Sequence, residues 1–357
     1  MDWRERSEIR DDVVYFRYIG EGIEKNVPEV FVWDLDKTYL DTTIDSIRAL
    51  LITATERALN KRNVPGTSTL LQTFTQRWIQ RHGQSRFPIY FISASPPQIE
   101  DRIREKLSFD GINPFGCFYK DNLRNLSPKR WWRLTKQVGY KLQALLQLRI
   151  KLHERVRQTF WGDDSESDAI IYNLYSDICS RRMSTQDIRA ILKHFFVMGE
   201  QVDRILSLQA QIPEDDPVDR IYINLAVDTD PEYYLKFGRR TLPTFNTFQI
   251  ACDLFQDQRL NLEDVNVIVQ DMMIQYNYAS EELTRSFEDM VRRQVLGEKS
   301  VDQLIPFLSE KGIFTPGYKP ALGLLKEKTV VNGRVEELDG HFEPWIASNI
   351  DYQHDYR

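Results

Sequence analysis

The chain has 357 residues, with 47 Lys and Arg against 53 Asp and Glu for a net charge of −6, and 41% of its residues are hydrophobic. That length supports one large domain or two, the composition is that of a soluble globular protein, and the mild acidity argues against a general nucleic-acid binder, which must neutralise phosphates. Cys117, Cys179 and Cys252 form no CxxC pair, and no window approaches a membrane-spanning apolar run, so a disulfide framework, a zinc site and a transmembrane helix are not expected.

Residues 1–27 are mixed in character, and the charged start lacks the apolar centre of a signal peptide. Within them, Asp12 to Phe16 reads as an edge strand. Val30-Phe31-Val32-Trp33 is an apolar run that follows Pro28 and ends in charge, the pattern of a buried strand. Asp34, Asp36 and Thr38 then fall just past its carboxyl end, where open α/β sheets bind ligands. Residues 43–60 read as a helix with Ile44, Ile47, Leu51 and Thr55 on one face. Asn63-Val64-Pro65-Gly66 signals a turn, after which Leu70, Leu71, Phe74 and Trp78 recur at helical spacing. Phe87 to Ile92 is a second apolar strand, ending in Ser93-Ala94-Ser95. Pro96 and Pro97 suit the first turn of a helix whose buried stripe is Ile99, Ile103 and Leu107. Gly116 to Tyr119 reads as a short third strand. A basic, aromatic segment from Lys129 to Lys136 precedes a helix opened by Lys141.

Thr159 to Gly162 is a further strand, and it delivers Asp163, Asp164 and Asp168 ahead of a helix through Ile170, Ile171, Leu174 and Tyr175. Ser184 with Asp187 resembles a capping box and starts one long helix through Ile188, Ile191, Leu192 and Phe195. Beyond a turn-rich acidic linker at 211–218, Arg220 to Val227 is the last clear strand. Helical periodicity dominates from Thr244 onward, and the last forty residues read as extended and loop-rich. Strands alternating with helices up to residue 227 argue for a parallel α/β sheet.

Paired carboxylates two residues apart repel, and a cation with a taste for oxygen ligands, such as Mg²⁺, would hold them together. The plainer reading of Asp34 and Asp36 is a solvated acidic turn. Set beside Ser93, Lys141 and Asp163 with Asp168, they instead suit phosphoryl transfer through an aspartyl-phosphate. Asp34 is then the nucleophile and Asp36 the general acid and base. Thr38, Ser93, Ala94 and Ser95 would bind the phosphoryl oxygens, with Ser95 the rival of Ser93. Lys141 would offset the negative charge, with Lys129 and Lys136 as rivals. Asp34, Asp163 and the Asp36 carbonyl would be the metal ligands. Asp168, in competition with Asp164, would hold Lys141 or a metal-bound water in place.

The ordered set Val32-Trp33-Asp34-Leu35-Asp36-Lys37-Thr38, Ser93, Lys141 and Gly162-Asp163 through Asp168 resembles the haloacid-dehalogenase (HAD) superfamily of Mg²⁺-dependent phosphatases. Val64-Pro65-Gly66, Ser93 to Gln98, and Gly162 to Tyr172 resemble, more narrowly, the catalytic domain of the actin-patch-associated, lipin-related phosphatidate phosphatases. This resemblance spans about residues 28–178 and, more loosely, 219–256. It implies a HAD-like Rossmannoid parallel sheet flanked by helices, a phosphomonoester substrate and Mg²⁺ as cofactor, with a phosphatidate-like lipid the leading candidate substrate. No large cap domain is evident between the first two motifs. Lys37 departs from the family, which commonly has a third acidic residue there.

The expected organisation is an N-terminal segment at 1–27, a phosphatase domain at 28–256 with a helical insertion at about 180–213, and a helical C-terminal extension at 257–357. The expected location is cytoplasmic. The segment Lys129 to Lys136 could dock on anionic lipid as a peripheral membrane contact, although a helix with core tryptophans is the plainer reading. Two alternatives stand beside the lipid phosphatase: a phosphatase of small soluble or protein phosphates, and a non-catalytic binding or scaffold protein of the same fold.

Overall fold

Alternation along one strand divides the core. Val30 and Val32 join one hydrophobic cluster, and Phe31 and Trp33 join the other. Both faces of the sheet are therefore covered, which is why the strand reads as a continuous apolar run rather than an alternating one. The computed structural model describes residues 2–41, 63–121, 135–165, 167–315, 317–320, 330–331, 334–335 and 344–354. Eight strands form one sheet: β1 (Glu8–Arg10), β2 (Val13–Arg17), β3 (Glu29–Asp34), β4 (Ile89–Ile92), β5 (Gly116–Lys120), β6 (Arg157–Asp163), β7 (Val218–Asn224) and β8 (Thr241–Thr244). Their order is β1-β2-β5-β4-β3-β6-β7-β8. The six strands from β5 to β8 in that order run parallel, and β2 and β1 add antiparallel at one edge.

Helices cover both faces, giving an α/β sheet flanked by helices. On the Val32 side lie α3 (Thr135–Lys151), α4 (Asp168–Cys179), α5 (Thr185–His194) and α6 (Gly199–Gln209). On the Trp33 side lie α1 (Thr67–His82), α2 (Glu100–Phe109), α7 (Thr247–Gln256), α8 (Leu262–Tyr276), α9 (Ser280–Arg292) and α10 (Glu298–Glu310). The helices beyond residue 257 thus share a core with β3 and β4. Among the described residues, no helix is long and apolar enough to cross a membrane.

A ladder of aromatic rings fixes the register of the central strands. Trp33, Trp161 and Tyr222 are direct partners across β3, β6 and β7. Their rings stack with centroids 4.7 and 5.0 Å apart. Such pairs contribute about 0.5–1.5 kcal/mol each beyond their buried area. A register slip would move every one of these rings to the wrong face. The ladder therefore also sets which residues stand together at the strand ends.

Several expectations need correction. Of the expected edge strand Asp12 to Phe16, Val13 to Phe16 belong to β2, which lies inside the sheet because β1 forms the edge. Lys141 does not open a helix; it sits in the middle of α3. The long helix after Ser184 is two helices. The capping box is present, but Phe196 takes a left-handed φ of 53° and breaks the run. The strand at 220 starts at Val218 and ends at Asn224, and β8 follows it with Pro243 inside, as an edge position permits. The expected helix at 43–60 and the segment 129–134 lie outside the described residues.

The C-terminal segment 344–354 ties across the far edge. Arg239 N and Arg240 N donate to the carbonyls of Pro344 (3.0 Å) and Trp345 (2.9 Å). The buried Tyr352 hydroxyl donates to Asp177 Oδ2 at 2.6 Å.

Candidate active site

β3 and β6 are parallel neighbours, so their carboxyl ends carry Asp34 and Asp163 side by side. Asp168 enters from the first turn of α4. Carboxylate oxygens of these three residues all lie within 4.8 Å of one another, and all three side chains are buried. The close approach of β6 to Asp168 requires glycine at 162. A Cβ there would come within 2.5 Å of the Asp168 Cβ.

Three buried like charges in this space repel strongly. Lys141, itself fully buried, offsets part of that charge. Its Nζ lies 2.7 Å from Asp34 Oδ1 and 2.5 Å from Asp168 Oδ1. Hydrogen bonds orient the acids further. Asp163 Oδ1 accepts from the Ser165 amide and hydroxyl, both at 2.6 Å, and Asp168 Oδ2 accepts from Asp163 N at 3.3 Å. Among the described residues, Lys141 is the ammonium within ion-pair distance of Asp34 and Asp168, and three carboxylates outnumber it. An all-oxygen donor set of that kind fits a hard divalent cation such as Mg²⁺.

Asp36 is buried but stands outside this three-carboxylate group. Its Oδ2 faces the end of β4, 3.4 Å from both Ser93 Oγ and Ser95 Oγ. Ser95 N donates to Ser93 Oγ at 3.1 Å, which folds the Ser93-Ala94-Ser95 turn around that carboxylate. Tyr140, the neighbour of Lys141, donates from its hydroxyl to the Ser93 carbonyl at 2.9 Å. Burial pushes this phenol well above its ordinary range, so it remains a donor.

The turn after β3 is firmly held. Lys37 takes a left-handed φ of 56° and is exposed. Its amide donates to Leu40 O (2.8 Å) and its carbonyl accepts from Asn224 Nδ2 (3.2 Å). Tyr39 OH (2.5 Å), Asn63 Nδ2 (3.0 Å) and Lys106 Nζ (2.6 Å) converge on the buried Asp110 carboxylate. Thr38 is not brought to the serines. It lines a small cavity on the Trp33 side of the sheet with Trp33, Trp161 and Thr67. Asp164 is not brought to the acids either. Its Oδ2 accepts from Ala226 N (2.8 Å) and from the Thr229 hydroxyl, and so joins the ends of β6 and β7. Lys129 and the side chain of Lys136 lie outside the described residues.

Tyr140, Ser165 and Asp110 are missing from the sequence reading. Ser165 lies inside the motif already quoted, and a serine two residues after an aspartate is a recognisable turn donor. Tyr140 and Asp110 act over 47 and 71 residues of separation, and nothing local signals them.

Fold and site together define an α/β protein with a lysine-bridged cluster of buried carboxylates at the carboxyl edge of a mostly parallel sheet. Residues 30–192 match the family model described as phosphatidate phosphatase APP1, catalytic domain, so that part of the chain is similar to a lipin-related family of phosphatases. The family's named substrate is a phosphorylated lipid. No curated protein and no solved structure matches the chain.

Proposed function

We propose that the protein is a HAD-type, Mg²⁺-dependent phosphomonoester hydrolase acting through an aspartyl-phosphate on Asp34, with a phosphatidate-like lipid as substrate. The observation that carries this reading is the division of labour between the carboxylates. Asp34 is tied to Lys141 and faces Asp163 and Asp168, whereas Asp36 faces the two serines at the end of β4. We assign the phosphatase domain to residues 28–256.

In the first step an Asp34 carboxylate oxygen attacks phosphorus. The bond from phosphorus to the leaving oxygen breaks, and Asp36 gives that oxygen its proton. In the second step Asp36 takes a proton from water, whose oxygen attacks phosphorus, and inorganic phosphate leaves with Asp34 regenerated as a carboxylate. Ser93, Ser95 and the Ala94 amide hold the phosphoryl oxygens at the site, and Lys141 offsets the charge that gathers there. Asp34, Asp163 and the Asp36 carbonyl, with Asp168 beside them, would hold Mg²⁺, which when bound neutralises phosphoryl charge and aligns it.

The test is hydrolysis of an aryl phosphate and of phosphatidate in mixed micelles. Activity with Mg²⁺, lost with chelator and in Asp34→Asn, is expected, with phosphatidate the better substrate. Absence of turnover on every phosphate ester would refute the enzyme reading, and equal rates on lipid and soluble esters would remove the reason for naming lipid.

A further inference from the structure

Exposed apolar side chains are ordinary on a soluble surface when scattered, so their placement matters more than their number. Phe196 is 62% exposed and Met198 49% exposed, both in the turn between α5 and α6, and Val227, just beyond β7, is 93% exposed.

Contacts fix where that turn stands. A Cβ on Gly139, near the start of α3, would come within 2.8 Å of Val197 Cγ1. Gln201 Nε2 donates to Asp12 Oδ2 at 2.6 Å, and the Asp12 carbonyl accepts from Asp121 N at 3.0 Å. Asp121 directly follows β5, so the turn lies at the same end of the parallel sheet as Asp34 and Ser93. Val227 lies at that end too, in the loop that Asp164 anchors beside Asp163. The apolar tips thus stand on the β5 side and the β7 side of the acidic site. Phe196 also holds a left-handed φ of 53°, where a bulky residue is an outlier and Asn or Gly would fit without strain.

We propose that the carboxyl edge of the sheet is a lipid-docking face, with Phe196, Met198 and Val227 entering the membrane interface around the site. The occupant is a phospholipid surface. The matched family is named for a phosphatase of phosphatidate, a lipid whose phosphate lies at the membrane–water interface, so the site would meet such a substrate there. Lys193, His194 and Lys37 are exposed at this end, but so are Glu200 and Asp228. Apolar insertion therefore leads the contact, and binding survives added salt. The choice of lipid rests on the phosphatase reading; the docking itself needs no turnover.

The experiment is sedimentation with phosphatidylcholine vesicles containing phosphatidate, run beside hydrolysis of a soluble aryl phosphate. The variants are Phe196→Asn with Met198→Ser, Val227→Asp, and as a control Phe109→Ser. Phe109 is 80% exposed at the end of α2, on the opposite edge that leads into β5. Asn suits the left-handed position, and unchanged melting temperatures establish folding. Vesicle partition is expected to fall roughly tenfold or more in the double variant. A smaller fall is expected for Val227→Asp and none for Phe109→Ser, with aryl phosphate hydrolysis unchanged. Failure of the native chain to bind vesicles, unchanged partition in the double variant, or loss in Phe109→Ser instead would overturn the proposal. Vesicle binding that falls as expected in a chain without phosphatase activity would support the docking face and refute the hydrolase.

Discussion

Replacing Lys141 with methionine keeps most of the side chain's length and removes its charge. The ammonium is fully buried and within 2.7 Å of Asp34 and 2.5 Å of Asp168, so solvent cannot take its place. Breaking a buried ion pair from one side costs about 3–5 kcal/mol, because the stranded charge stays buried. With about 2.1 cal/mol/K of unfolding entropy per residue, one kcal/mol corresponds to roughly 1.3 °C for a chain of 357 residues. Lys141→Met should therefore melt about 4–7 °C lower in chelator. Magnesium should recover more of that loss in the variant than it adds to the native chain, because three carboxylates without a lysine attract a divalent cation more strongly. Activity should fall at least a hundredfold, roughly the effect of losing one preorganised charge at a phosphoryl site. Thermal melts with and without Mg²⁺ measure the first two effects. A variant as stable as the native chain in chelator, with no extra gain from Mg²⁺, would refute the charge account of this site.

Gly162→Ala should remove most activity with a modest stability loss of about 1–3 kcal/mol, because the added methyl displaces Asp168; assays of turnover and melting separate the two. Lys37→Asp should raise KM about two- to tenfold for a dianionic ester, with less effect at high salt, and should leave the melting temperature unchanged because Asp tolerates the left-handed turn. Asp216→Asn tests an acid limb. Burial alone would raise the Asp216 carboxyl, but Arg240, the Val218 amide and Arg182 hold it below the ordinary value of 3.8. A depressed carboxyl contributes stability above its unfolded value and loses it as pH falls. The variant should thus be about 1–3 kcal/mol less stable at neutral pH, and the difference should close as pH falls below 3.8. A gap that widens on acidification would show the sign to be wrong.

What could be read from the chain was local. Apolar runs ending in Asp34, Ser93 and Asp163 identify β3, β4 and β6 because a buried parallel strand has no other way to be written. The capping box at Ser184 and the stripe Leu70, Leu71, Phe74 and Trp78 are equally self-contained. The misses share a cause. β8 has four residues and a proline, so its strand character comes from pairing with β7 and not from its own composition. The break at Phe196 needs a backbone conformation that phenylalanine does not advertise. Lys141 reads as a helix start because the preceding basic segment hides the periodicity that continues through α3. The antiparallel addition of β2 beside β5 depends on a pairing across about a hundred residues, which no short window contains. At the site, residue types were legible; the separate orientations of Asp34 and Asp36, and the anchoring tasks of Tyr140, Asp110 and Asp164, are products of tertiary contact.

The segment 344–354 closes the β7–β8 edge by pairing with Arg239 and Arg240 and seating Tyr352 on Asp177. During synthesis it leaves the ribosome after every element it binds. Until it arrives, the carbonyl-seeking amides at 239 and 240 and the hollow that Tyr352 fills face solvent. A nascent chain can therefore assemble the acidic site, whose members all precede residue 169, well before its outer edge is sealed. A premature stop codon shortly before residue 344 would yield a protein with its acidic cluster in place and one margin unfinished, the kind of chain that quality-control proteases remove.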